Sequence, residues 1–260
     1  MHDDLNRYWI MALTEVPVTV LGEAGFIGSR LIERLVEVEQ ARVTVLARSP
    51  QRAIRIARYP VRLIAGSVTE PVPLRQALAG ARLVFDCTYP VGGDVKARSA
   101  EAVAMAQAIA DGVRSESIRR LVHLSTVAVY GVGPGERLDE ASPWRPGGDA
   151  YAASKLAAEQ WLLRCFQDCG LPVVVIQPTV VYGPFSHWIS GPLTEVNAGR
   201  VVLPEGGVCN PVYIDDLIDG MLKAAMVAGI EGERFLLSGA DQVTWYDYYR
   251  QLSERAGANT

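Results

Sequence analysis

A chain of 260 residues is long enough for one large domain with a well-buried core, or for one domain with a small appendage. Its residues are 49% hydrophobic and 21% charged, an ordinary globular balance. The formal charge of −4 offers no basic surface to nucleic acid or anionic lipid, and no apolar run approaches the ~18 residues that span a membrane.

Residues 1–15 open with His2, Asp3 and Asp4 instead of a basic cluster, so they read as a short N-terminal extension and not as a secretory leader. The first strand is predicted over Val16–Leu21. Gly22, Gly25 and Gly28 follow it directly and open a helix in which Ile27, Leu31, Leu35 and Val38 form one apolar stripe. Glycines at a strand-to-helix turn let the backbone approach a pyrophosphate, and the helix N-terminus adds free amides and positive potential. Gly22, Gly25, Phe26, Ile27 and Gly28 are therefore candidate cofactor-binding residues.

The second predicted strand, Arg42–Ala47, ends in Ala47-Arg48-Ser49, with Arg52 shortly after. A carboxylate at this point would accept hydrogen bonds from an adenosine ribose and repel a 2′-phosphate, whereas an arginine fork suits phosphate. Arg48 thus favours NADP(H); NAD(H) is the alternative, in which Arg48 is only a surface residue. Further strands are predicted at Val61–Ala65, Leu83–Cys87, Leu121–Ser125 and Val173–Gln177. All are near-continuous apolar runs, the pattern of parallel strands covered on both faces.

Helices are predicted at Ser99–Val113, which is alanine-rich, and at Tyr151–Phe166, which Gly170 and Pro172 bring to a stop. The alternation predicts an α/β fold, a Rossmann-type doubly wound parallel sheet. Beyond Tyr182, glycine and proline punctuate a loop-rich stretch, followed by helices at Asp215–Val227 and Thr244–Ala256 with a strand at Arg234–Leu237 between them. The expected organisation is an extension (1–15), a dinucleotide-binding domain carrying the catalytic residues (16–183) and a small substrate lobe (184–260), some of whose segments return to the core. Cys87, Cys165, Cys169 and Cys209 have neither zinc-site spacing nor a disulfide pattern, so they read as free thiols of a reducing cytoplasm, and no metal is expected.

Tyr151 and Lys155 are four apart in a predicted helix and project from one face. Thr126 lies where the fifth strand ends, at the sheet edge where such folds place ligands. Five ordered motifs run through the chain: Gly22-x-x-Gly25-x-x-Gly28, Thr126-x-x-x-Tyr130-Gly131, Tyr151-x-x-x-Lys155, Pro178-x-x-Val181-Tyr182-Gly183-Pro184 and Val212-Tyr213-Ile214-Asp215-Asp216. With these, the chain resembles the extended short-chain dehydrogenases/reductases, also called the NAD-dependent epimerase/dehydratase family, from about Val16 to Ser253. The resemblance implies that Tyr151 exchanges a proton with a carbonyl or alcohol oxygen while hydride moves to or from the nicotinamide. It implies that Thr126 orients that oxygen and that Lys155 holds the nicotinamide ribose. The Lys155 ammonium would also favour the phenolate of a tyrosine whose unperturbed pKa is ~10. Pro178 joins the cofactor-binding set on the same ground, and a homodimer through the helices at Ser99–Val113 and Tyr151–Phe166 is implied as well.

The chain departs from the family pattern at Leu21, at Gly66-Ser67-Val68, at Gln177 (where arginine is common) and near Ser99 (where a catalytic asparagine is usual). The 4,6-dehydratases of the family carry Asp-Glu after the catalytic threonine; Val127 and Ala128 stand here and transfer no protons. The expected function is an oxidoreductase exchanging hydride with a small-molecule carbonyl or secondary alcohol, most like the dihydroflavonol reductase branch. A nucleotide-sugar epimerase or keto-sugar reductase acting on a sugar-nucleotide substrate is the alternative, and a non-catalytic dinucleotide-binding regulator is the third reading. Tyr89, Val127, Phe185, His187 and Trp188 are candidate pocket walls by position, and Asp215 and Asp216 are expected to open a helix at the lobe hinge.

Overall fold

The computed structural model describes residues 13–22, 25–48, 50–131, 137–199 and 207–256, without the side chains of Pro50, Arg52 and Ala256. Most of the expected N-terminal extension, together with Ser49 and the Arg52 side chain, lies outside the described residues. The strands are β1 (Pro17–Leu21), β2 (Arg42–Ala47), β3 (Arg62–Ala65), β4 (Leu83–Asp86), β5 (Arg120–Leu124), β6 (Val173–Pro178), β7 (Val180–Tyr182), β8 (Pro211–Tyr213) and β9 (Arg234–Leu237). Seven of them form one parallel sheet in the order β3-β2-β1-β4-β5-β6-β9, and β7 pairs with β8 in a separate parallel ribbon. The order reverses between β1 and β4, the switch point at whose carboxyl side ligands of doubly wound sheets bind.

The helices are α1 (Phe26–Glu37), α2 (Pro71–Leu78), α3 (Val95–Ser115), α4 (Ala150–Cys169), α5 (His187–Asn197), α6 (Ile214–Met226) and α7 (Trp245–Ala256). The continuous apolar runs of the strands feed two cores at once, because successive side chains leave opposite faces. Val18, Val20, Val122 and Val174 point to the core shared with Leu31 and Leu35 of α1 and Leu217 and Met221 of α6. Leu21, Val84, Leu121 and Val175 point to the core shared with Leu74 of α2, Ile109 of α3 and Leu162 of α4. The two faces are thus closed by α1 and α6 on one side and α2, α3 and α4 on the other.

The structure corrects two expectations. β3 is not covered on both faces: it is the edge strand and is largely exposed, with Leu63 at 39%. The stretch after Tyr182 is not mainly loop, since α5 occupies 187–197 despite Gly191 and Pro192. Ser186 caps α5, its Oγ accepting from the Trp188 amide at 3.1 Å. Pro192 lacks the amide that would bond the Trp188 carbonyl one turn back; the Tyr248 hydroxyl donates to that carbonyl instead, at 2.5 Å. A side chain of α7 therefore repairs a break in α5. Helix α2 also escapes the sequence pattern, because Pro71 and Pro73 read as breakers, yet both lie in its first turn, where no amide is needed.

α1 is tied to α6 by ion pairs. Arg30 grips Asp215 through Nε (2.7 Å) and Nη2 (2.8 Å), and Arg34 reaches Asp219 at 2.8 Å. Asp215 and Asp216 occupy the first turn of α6, where carboxylates are favoured by the helix dipole. No helix among the described residues is long and apolar enough to cross a membrane.

Replacing Tyr248 by Phe leaves the Trp188 carbonyl without a partner and is expected to cost about 1 kcal/mol, or roughly 2–4 °C in Tm. Thermal and urea unfolding of the variant measure this, and an unchanged midpoint would mean that water serves that carbonyl equally well.

Candidate active site at the carboxyl ends of the strands

The turn between β1 and α1 is shaped by contact with the loop after β4. Gly22 has φ +90°, and a Cβ there would lie 2.6 Å from the carbonyl carbon and oxygen of Cys87 and 2.9 Å from the Thr88 amide. Backbone presses on backbone at this point, and only glycine allows it. Gly25 differs. Its φ is −78°, and a Cβ would meet only the Gly22 carbonyl oxygen at 3.6 Å, so packing within the protein does not demand glycine. Gly25 is also the cap of α1 and supplies no side-chain cap, and no acidic residue occupies the first turn. The amides of Phe26, Ile27 and the buried Gly28 lie in the first turn at a helix N-terminus, a setting that suits a pyrophosphate.

A cleft continues from Gly22 and Gly25 across the ends of β1 and β2 to Arg48, Ser67 and Thr69. Arg48 is exposed on its rim just past β2. The opposite end of the cleft is walled by Thr88 and Tyr89, beside the sequence-predicted catalytic residues. Pro178 is the buried last residue of β6 on the same edge.

Thr126 follows β5 and caps a short 3-10 turn, its Oγ1 accepting from the Ala128 amide at 3.2 Å. Asp149 fixes where α4 begins by accepting from the Tyr151 amide at 2.9 Å, which places Tyr151 in the first turn and Lys155 one turn deeper. Burial raises the Tyr151 phenol above its ordinary value, and its hydrogen bond with Thr126 acts in the opposite sense; Tyr89 and Asp149 add smaller upward pushes. The rings of Tyr89 and Tyr151 meet edge to face, with centroids 6.0 Å apart. Lys155 is only 4% exposed. Its Nζ donates to the carbonyls of Leu124 (2.7 Å) and Thr88 (2.9 Å), bridging the ends of β5 and β4. Burial lowers its pKa, and Asp86 leads the groups that oppose that fall.

Several residues at this site carried no sequence signal. Asp86 ends β4 and accepts from His123 Nδ1 at 2.7 Å and from the Thr88 hydroxyl at 2.6 Å. Glu159, one turn beyond Lys155 and fully enclosed, accepts from Ser125 Oγ at 2.6 Å and from Gln177 Nε2 at 2.9 and 3.0 Å. Gln177 in turn accepts from the Tyr130 hydroxyl at 2.8 Å, and Arg234 of β9 stands 3.8 Å from Glu159. Helical spacing from Lys155 is the one signal that could have flagged Glu159; the others are brought in by strand pairing. Among the candidate pocket walls, Tyr89 lines the cleft, whereas Trp188 packs on Trp245 of α7 with centroids 5.6 Å apart and His187 folds back against Gly191.

The sequence matches the NAD dependent epimerase/dehydratase family over residues 18–237. The chain belongs to that family. It is 26% identical to the 2-alkyl-3-oxoalkanoate reductase of Shewanella oneidensis over 86% of its own length, and spans 62% of the length of that relative. It is 27% identical to a UDP-glucose 4-epimerase of Mycolicibacterium smegmatis over 92% of this chain and 82% of the relative. The solved structure of a DesIV double mutant, a dTDP-glucose 4,6-dehydratase from Streptomyces venezuelae with NAD and DAU bound, superposes with a TM-score of 0.78 at 25% identity, covering 93% of this chain and 81% of that one. Relatives with three different activities share the fold, and a nicotinamide dinucleotide is the common element that the family's name and the NAD-bound neighbour print.

The contrast between the two glycines is testable. Gly22→Ala is expected to destabilise the fold by about 1–3 kcal/mol, since strained φ and a backbone clash coincide. Gly25→Ala is expected to leave stability within about 1 kcal/mol while weakening dinucleotide binding roughly tenfold. Thermal unfolding and fluorescence titration with NADPH and NADH separate the two effects.

Proposed function

We propose that this chain is an NADP(H)-dependent reductase that interconverts a carbonyl and a secondary alcohol on a small molecule. The observation that carries the reading is the convergence of Thr126, Tyr151 and Lys155 at the strand ends, one loop away from the glycine turn. The dinucleotide, when bound, supplies or accepts the hydride. In the reductive direction Tyr151 gives its phenolic proton to the carbonyl oxygen, and in the oxidative direction it takes the proton from the alcohol. Its burial makes the phenol a poor acid until a charge change nearby favours the phenolate, and the neighbouring Thr126 hydroxyl would orient the substrate oxygen toward it.

Lys155, one helical turn from Tyr151, would supply positive charge to the phenol and hold the cofactor's ribose. Gly22, Gly25, Phe26, Ile27 and Gly28 would hold the pyrophosphate, and Pro178 would help to hold the nicotinamide. Arg48 takes the 2′-phosphate: it is an exposed guanidinium on the cleft rim where no carboxylate ends β2. Val127 and Ala128, beside Thr126, offer no acid or base for eliminating water, which supports reduction over dehydration. The segments after Pro184 that stand apart from the main sheet, α5 and α7, are the proposed substrate lobe.

Tyr151→Phe is expected to lower turnover by about 100-fold or more with cofactor affinity little changed; wild-type turnover in the variant would sink the mechanism. Arg48→Asp is expected to weaken NADPH binding about tenfold or more and NADH binding far less, measured by calorimetric titration. Equal losses would remove Arg48 from the 2′-phosphate. Mass spectrometry of the nucleotide released on denaturation decides the alternative, since stoichiometric, tightly held NAD would favour an epimerase.

A further inference from the structure

Two buried carboxylates lie near the Lys155 ammonium, and they are not equivalent. Glu159 is committed to Ser125 and Gln177 and has the Arg234 guanidinium 3.8 Å away. Asp86 is enclosed at the end of β4 and pairs with no arginine among the described residues. Its Oδ1 accepts from the Thr88 amide (3.0 Å) and hydroxyl (2.6 Å), and its Oδ2 accepts from His123 Nδ1 (2.7 Å). The carbonyl of that same Thr88 receives the Lys155 ammonium. One carboxylate thus holds the backbone on which the lysine rests and lies within electrostatic reach of its charge.

The other groups around Lys155 do not take this part. His123 donates to Asp86 through Nδ1, its Nε2 has no hydrogen-bond partner among the described residues, and its ring lines a cavity of about 10 Å³ bordered by Ser154 and Lys155. An imidazole supplies no negative charge, so His123 cannot serve as the anion for Lys155. Burial pushes the Cys87 thiol up to about 12, so it is not an anion at neutral pH. Tyr89 offers the face of its ring, 5.7 Å from Nζ. From α4 itself come Tyr151, a buried phenol, and Glu159. Helix α3 presents only Ala102, Met105 and Ala106 to the cavity. Glu159 thus has the Arg234 guanidinium beside it, and Asp86 is linked to Lys155 through Thr88.

We propose that Asp86 is the counter-anion of Lys155, a positioning residue that keeps the buried lysine an ammonium and, by clamping Thr88, shapes the carbonyl seat that holds it. The inference rests on the reading of Lys155 as part of the catalytic machinery. Its physical content is that burial drives a lysine toward the neutral amine, and Asp86 is the largest of the charges opposing this. Removing the Asp86 charge therefore lowers the pH at which Lys155 loses its proton. In reduction, where the ammonium is required, the alkaline limb of the rate profile moves down with it.

The chain has three lysines, and Lys96 and Lys223 are exposed, so protein labelled with carbon-13 lysine gives three ε-methylene signals that report ionisation directly. The wild-type Lys155 signal is expected to be that of an ammonium at neutral pH. In Asp86→Asn, which can still accept from Thr88, its midpoint is expected to fall by about one pH unit or more while Lys96 and Lys223 stay in place. The same variant is expected to lose about tenfold in kcat at neutral pH with KM changed less than about threefold, and Asp86→Glu is expected to restore part of the loss. His123→Gln keeps a donor to Asp86 and should leave the Lys155 midpoint at the wild-type value.

A neutral Lys155 in the wild type overturns the proposal, and this needs no variant to fold. So does an unmoved midpoint in Asp86→Asn, or an equal fall in His123→Gln, which would make packing the cause and not charge. The spectroscopic readout is independent of turnover. An active Tyr151→Phe enzyme with an Asp86-dependent Lys155 would discard the proposed mechanism and keep the pairing.

Discussion

A lysine ammonium inside a sheet–helix interface is costly unless it finds hydrogen-bond acceptors and compensating charge, and much of this architecture is arranged around that demand. Lys155 finds two acceptors at the carboxyl ends of β4 and β5, where backbone carbonyls run past the ladder. The parallel order of the sheet brings Leu124 and the Thr88 turn side by side, and the start of α4 at Asp149 sets the depth to which the side chain reaches. Shifting either strand by one residue would exchange the face each side chain points to and leave the ammonium without its seat.

The glycine turn is built onto the same seat. Because Gly22 packs directly against the backbone of Cys87 and Thr88, the loop that would receive a pyrophosphate and the loop that holds the lysine cannot move independently. α1 is anchored at its far side by the paired Arg30–Asp215 and Arg34–Asp219 contacts to α6. These are partly exposed and are worth at most about 1 kcal/mol each, so their consequence is orientation more than stability. The cofactor helix is thereby oriented by a segment nearly two hundred positions away in the chain.

The aromatic cluster beyond the sheet follows a different logic. Trp188 of α5 packs on Trp245 of α7, Tyr248 completes the hydrogen bonding that Pro192 interrupts, and Tyr249 reaches Glu195 at 3.0 Å. Phe185 leads into this unit with φ +70° and an exposed ring, beneath the guanidinium of Arg55 at 5.0 Å. A non-glycine residue in that region is held there by its neighbours. The contact joins the segment after β2 to the residues just before α5.

Local signals alone determined the seven strands of the main sheet, though not the β7–β8 ribbon, together with the four long helices nearest the sheet, the glycine turn and the positions of Thr126, Tyr151 and Lys155. Each rests on periodicity, on a glycine or proline, or on spacing within one helix, and such physics is complete within a few consecutive residues. The sequence pattern was misleading at β3, whose apolar run ends on an exposed edge, and at α5, where Pro192 signals a break that a distant tyrosine mends. Tertiary structure alone decided that Asp86 meets His123 and the region of Lys155, and that Glu159 meets Ser125, Gln177 and Arg234. Those partners come from separate strands and helices, and the interaction of buried charges depends on distance and local dielectric, which exist only once the sheet has been assembled.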